Sequence, residues 1–186
     1  MQLKQNKIFI NIKIKKNVME TNARLYTLNY SQARTYLMAA IFVGCNIVLP
    51  QLFHLIPQGG FIFAPLSLVI LAGAYKFGWR AALLAAALSP LVNHLLFSQP
   101  SWAVLPVMTL KLVVIALVAG LVAERTKSVS LLLLAGVVLA AECIGGLGEL
   151  LLTGGVDATV ADFTIGWPGL LLQVFGTYLL LKKLPV

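Results

Sequence analysis

The chain of 186 residues is 60% hydrophobic and only 11% charged, with a formal net charge of +8 and a mean hydropathy of +0.93. Soluble domains are about 45–50% apolar and about 25% charged, so a soluble globular protein is excluded. These residues suffice for one helical bundle in a membrane and leave no room for a soluble catalytic domain or a nucleotide-binding module. The basic residues gather in the first 34 positions and in short loops, which excludes the basic patch of a nucleic-acid-binding face.

Residues 1–34, MQLKQNKIFINIKIKKNVMETNARLYTLNYSQAR, hold seven Lys or Arg and are expected to form a basic, poorly ordered arm on the cytoplasmic side. The arm lacks the apolar core of about 7–15 residues that a signal peptide needs. IFINIKI alternates weakly, as a short strand would, without an evident partner. Met19 offers an alternative start, which would leave residues 1–18 untranslated.

Six apolar segments follow, at about 35–55, 61–75, 81–97, 103–123, 130–152 and 164–181. A membrane-spanning helix needs about 17–25 residues, so the second is short, and Pro65 is expected to bend its start. Lipid satisfies no backbone hydrogen bonds and the runs lack barrel alternation, so helices are expected throughout.

The connecting loops alternate in charge. KFGWR, ERTK and the C-terminal KKLPV each hold two Lys or Arg, whereas IPQGGF, SQPSW and TGGVDATVADF hold none. The positive-inside rule therefore places both termini in the cytoplasm and those three loops outside. The expected fold is an all-α membrane protein, a single six-transmembrane-helix bundle over residues 35–183. No internal repeat supports an inverted-repeat transporter.

With that topology, the ionisable and amide groups collect in the outer half. Lys111 interrupts LPVMTLKLVVIALVAGLVAER about 12 Å below the outer end, at 1.5 Å of rise per residue. Glu149 lies within a turn of the outer end, and Glu142 is seven residues earlier on the same helix face. His54, Asn93 and His94 come from the first and third segments, and Trp167 and Gln173 from the sixth. A charge at a helix centre costs about 2.5–3.5 kcal/mol, so such groups face a cavity or a partner. An outward-facing ligand pocket of Lys111, Glu149, His94, Asn93, His54, Glu142 and Trp167 is therefore expected.

Other roles fit the same residues. Lys111 can neutralise Glu142 or Glu149 as an ion pair. Asn93 and His94 can hydrogen-bond between helices, and the tryptophans can mark the membrane interface. No HxxxH or ExxH spacing supports a metal, no nucleophile–base pair suggests catalysis, and Cys45 and Cys143 are expected to pack as small hydrophobes. Ala40/Gly44 and Ala81/Ala85 are spaced by four, which permits close helix approach within the bundle or against another protein.

The stretches LPQLFH, the GG of the first outer loop, LAGAYKFGWRAAL, SPLVNHLL and LPVMTLKL, in that order across residues 35–127, resemble the substrate-binding S components of energy-coupling factor (ECF) vitamin transporters. The resemblance implies a non-enzymatic subunit of an ABC-type importer in the bacterial inner membrane, binding no cofactor itself. It would capture a vitamin or vitamin-like molecule from outside. Its partners would be a transmembrane coupling protein, docked here at Ala40, Gly44, Ala81 and Ala85, and two ATPases. Two departures stand out: Lys111 replaces a glutamate of the LPxMxxEL pattern, and APLSLV lacks a histidine after its proline. An ammonium at that place favours a ligand with a carboxylate or phosphate. The alternative from a different class is a small six-helix scaffold resembling the rod-shape-determining membrane protein D family.

Overall fold

The computed structural model describes residues 20–21 and 25–183. The alternative start at Met19, the IFINIKI stretch and the C-terminal LPV lie outside the described residues. The described chain is all-α and 80% helical. Its helices are α1 (Ala33–Phe53), α2 (Gly59–Phe63), α3 (Pro65–Phe77), α4 (Trp79–Phe97), α5 (Leu105–Thr126), α6 (Leu131–Thr153), α7 (Asp157–Thr164) and α8 (Trp167–Lys183). Two short strands, β1 (Glu20–Thr21) and β2 (Val129–Ser130), pair antiparallel.

Four helices, α1, α4, α5 and α6, are long and apolar enough to cross a membrane, and α3 is a shorter apolar helix. These are features of a multi-pass membrane protein. The second apolar segment is two helices rather than one. Ala64 takes a left-handed conformation (φ 41°), and Pro65, which has no N–H to donate, starts α3 afresh. The resulting 13 residues of α3 reach about 20 Å. It is nonetheless the centre of the bundle, packed against α1, α4, α5 and α8, with Ile70, Leu71 and Ala74 fully buried.

Small residues let the other helices close around it. Ala81, Ala82, Ala85 and Ala86 of α4 are all 0% exposed. This corrects the expectation that Ala81 and Ala85 offer a docking face: their spacing serves approach inside the bundle. Ala40 does face outward, and Gly44 has open space where a Cβ would project. Cys45 and Cys143 are likewise not packed inside but lie exposed on the bundle surface.

From residue 25 the N-terminal arm is held in place. Tyr26 N–H donates to the Lys76 carbonyl at 2.7 Å and Leu28 N–H to the Phe77 carbonyl at 3.2 Å. The Tyr26 ring stacks on Phe77 at 6.0 Å, and the Arg34 guanidinium lies 5.1 Å from its centroid. Gly78 turns α3 into α4 at φ 91°, a conformation that favours glycine. At the start of α6, Ser130 Oγ accepts from Leu133 N–H at 3.1 Å, an N-cap.

Candidate functional site: a buried ion-pair cluster beside an end cavity

Residues 145–148 of α6 read GGLG, and the cluster forms on this notch. A Cβ at Gly145 would fall 3.1 Å from Lys111 Cγ, and one at Gly146 would fall 2.6 Å from Thr159 Cγ2. The bare backbone thus admits the Lys111 stem from α5 on one side and α7 on the other. Lys111 stands six residues into α5 and Glu149 four residues before the end of α6. Both therefore sit about 6–9 Å from the same end of the bundle.

There Lys111 Nζ donates to Glu149 Oε2 at 2.6 Å and also pairs with Asp162 of α7. Thr159, three residues before Asp162 and on the same face of α7, donates its hydroxyl to Glu149 Oε2 at 3.1 Å. Glu149 is 6% exposed. Glu142 lies within electrostatic reach of Lys111, Glu149 and Asp162 and against Gln173 of α8. Gln173 is 1% exposed, and its amide is a side-chain hydrogen-bonding neighbour of the Glu142 carboxylate. One ammonium is thus paired with two carboxylates, and Glu142 lies nearby on the same helix as Glu149.

A cavity of about 720 Å³ opens at the same end, between α1 to α5. Its polar lining comes from Gln51, His54, Gln58, Asn93 and Gln99, its apolar lining from residues such as Leu66, Phe97 and Met108. No Lys, Arg, Asp or Glu lines it. Asn93 is also interhelical glue. Its Nδ2 donates to the carbonyls of Asn46 and Ser89, each at 2.9 Å, while Asn46 Nδ2 donates to Ser89 Oγ at 3.0 Å.

The residues expected to form one pocket are therefore divided. Lys111, Glu149 and Glu142 come together, and His54 and Asn93 line the cavity. His94 joins neither group: its Nδ1 donates to the Pro100 carbonyl at 2.6 Å, and its ring packs 4.2 Å from that of Trp102. Trp167 is 56% exposed and belongs to neither group. Lys111 takes the intramolecular ion-pair role that its sequence also permitted, with Glu149 and Asp162 as its partners. Sequence reasoning missed Thr159 and Asp162. Their signal was an i, i+3 polar pair in a loop whose Val156, Val160 and Phe163 are spaced for a helix.

Among the described residues no three His, Cys, Asp or Glu side chains converge as metal ligands. No protein-family model, curated protein or solved structure matches the chain.

Proposed function

We propose that this chain is the solute-binding membrane subunit of an importer of the ECF type. In this reading the bundle has six spans, with α3 and α8 completing the four long ones and both termini in the cytoplasm. It captures a vitamin-like molecule at the outer end in the bacterial inner membrane, and a coupling protein with two ATPases supplies the work.

The observation that carries the reading is the convergence of Lys111, Glu149, Thr159 and Asp162 from three helices at one end of the bundle. Ionisable side chains within membrane helices are costly and mark substrate or ion pathways. The loops at that end, 54–60, 98–104 and 154–166, hold no Lys or Arg, and Lys76, Arg80, Arg125 and Lys127 lie at the other. The order of LPQLFH, SPLVNHLL and LPVMTLKL supports the same family. A partner would meet the face of α1 that carries the exposed Ala40 and the half-buried Gly44.

The test is to purify the protein in mild detergent, denature it, and identify released small molecules by mass spectrometry against a mock purification. A stoichiometric metabolite supports solute capture. A blank that persists after incubation with a vitamin mixture rejects it.

A further inference from the structure

Resting on the reading of the chain as a solute-binding subunit, we infer that the solute seats in the end cavity lined by α1 to α5. The lining assigns it a class: an uncharged organic molecule with an amide-type edge, a C=O beside an N–H, on an apolar body.

Size and charge come first. The cavity of about 720 Å³ falls within the range of about 300–1,000 Å³ typical of small-molecule sites. Its walls at Leu66, Phe97 and Met108 are apolar, and no Lys, Arg, Asp or Glu lines it. A charged group moved there from water loses hydration with no counter-charge in the lining to replace it. The Lys111 ammonium, three residues along α5 from Met108, is already held by Glu149 and Asp162. Anions and cations are disfavoured alike, and a neutral solute is not.

The polar lining is the second observation. Three glutamines reach the cavity from separate places: Gln51 on α1, Gln58 just before α2, and Gln99 in the loop between α4 and α5. Among the described residues none of these three side-chain amides has a hydrogen-bond partner. Asn93 differs, because its amide nitrogen donates to the Asn46 and Ser89 carbonyls and so braces the wall. A side-chain amide offers an acceptor oxygen and a donor NH₂ together, and the edge that matches both is another amide. A carboxamide, lactam or ureide presents that edge. A hydrocarbon would leave the amides unpaired, and a polyol would waste the apolar walls.

Backbone conformation at the rim is the third. Four non-glycine residues among the described ones have positive φ, and three stand here. Gln58 (φ 57°) lines the cavity, Ser98 (φ 57°) lies between the lining residues Phe97 and Gln99, and Ala64 (φ 41°) precedes Pro65. The turns at Gly78 and Gly154 use glycine for such angles. Residues with side chains held in this region are uncommon and gather at ligand clamps.

The experiment uses the full chain in detergent and a small-molecule cell extract divided by ion exchange into cationic, anionic and neutral fractions. Thermal unfolding is followed with each fraction, and the component retained by the protein is identified by mass spectrometry. The inference expects a saturable rise in Tm with the neutral fraction only, from a component bearing a carboxamide, lactam or ureide. Val104→Trp, which fills the cavity from an exposed position in its wall, is expected to abolish the rise. Gln51→Leu, which deletes one amide, is expected to raise the concentration for half the effect by about two- to tenfold. A rise with a charged fraction, or from a neutral polyol, overturns the class but leaves solute capture standing. A neutral-fraction rise unchanged by both substitutions overturns the cavity as the seat. No response to any fraction overturns both readings. Should Val104→Trp fail to fold, Gln51→Leu decides the seat.

Discussion

Asp162 and Lys111, 51 positions apart in the chain, form an ion pair that ties a helix of eight residues to the side of a long apolar one. Together with the 2.6 Å contact from Lys111 to Glu149, this pair links α5, α6 and α7. The lysine that interrupts an otherwise apolar span is thus satisfied from within the chain. Its side chain is only 19% exposed, so the pairing is a structural necessity before it is anything else.

Removing the ammonium leaves a buried carboxylate, Glu149, and a half-buried one, Asp162, without their shared partner. Breaking a buried pair by deleting one partner costs about 3–5 kcal/mol. Lys111→Met is expected to lower Tm steeply, and adding Glu149→Gln and Asp162→Asn to it is expected to recover most of the loss. Thermal unfolding of the single and combined variants in one detergent checks this. A single variant as stable as the parent would show that the pairs contribute nothing.

How much of this was legible beforehand depends on what a residue's neighbours in sequence can say. The bounds of α1, α4, α5 and α6 lie within three residues of the apolar runs, because an uninterrupted apolar stretch in lipid has no alternative to a helix. The break at Ala64 was not legible, since alanine carries no signal for a left-handed turn. Lys111, Glu142 and Glu149 stood out as charges within apolar runs. Asp162 did not, because a carboxylate in a polar loop is ordinarily solvated, and only the fold of α7 onto GGLG turns it inward. The Ala81/Ala85 spacing correctly signalled close approach but not its partner, which here is the bundle's own interior.

Asn93 provides a test of glue against ligand contact. Its bond to the Asn46 carbonyl and the Asn46–Ser89 bond link α1 to α4, and such bonds between membrane helices average about 0.6 kcal/mol, with a maximum near 1.7. Asn93→Leu is expected to destabilise within that range while the protein still retains its solute in mass spectrometry. Loss of the solute from a variant that melts normally would instead make Asn93 a ligand contact through the cavity it lines.

The orientation proposed for the bundle predicts a labelling pattern. With Cys45 and Cys143 replaced by serine, a cysteine at Gln58 or Asp157 is expected to react with a membrane-impermeant maleimide on intact cells. A cysteine at Lys127 is expected to react only after permeabilisation. The reverse pattern would invert the topology and place the cluster at the cytoplasmic end. A cysteine at Ala81 or Ala85, both fully buried, is expected to stay unlabelled under either condition in folded protein.

The notch in α6 can be tested by a compensating pair. A Cβ at Gly146 would stand 2.6 Å from Thr159 Cγ2, too close for any real side-chain contact, so Gly146→Ala must push α7 outward. Overpacking of this kind costs about 1–3 kcal/mol. It also strains the Thr159 bond to Glu149 Oε2 and the Asp162 pair that depends on the same helix. Thr159→Ser removes the clashing methyl and keeps the hydroxyl, so it is expected to be nearly neutral alone and to rescue Gly146→Ala. A double-mutant cycle on Tm measures the coupling. Strictly additive effects would mean that α7 does not rest on α6 at this point, and that Asp162 reaches Lys111 without the support of the glycine notch.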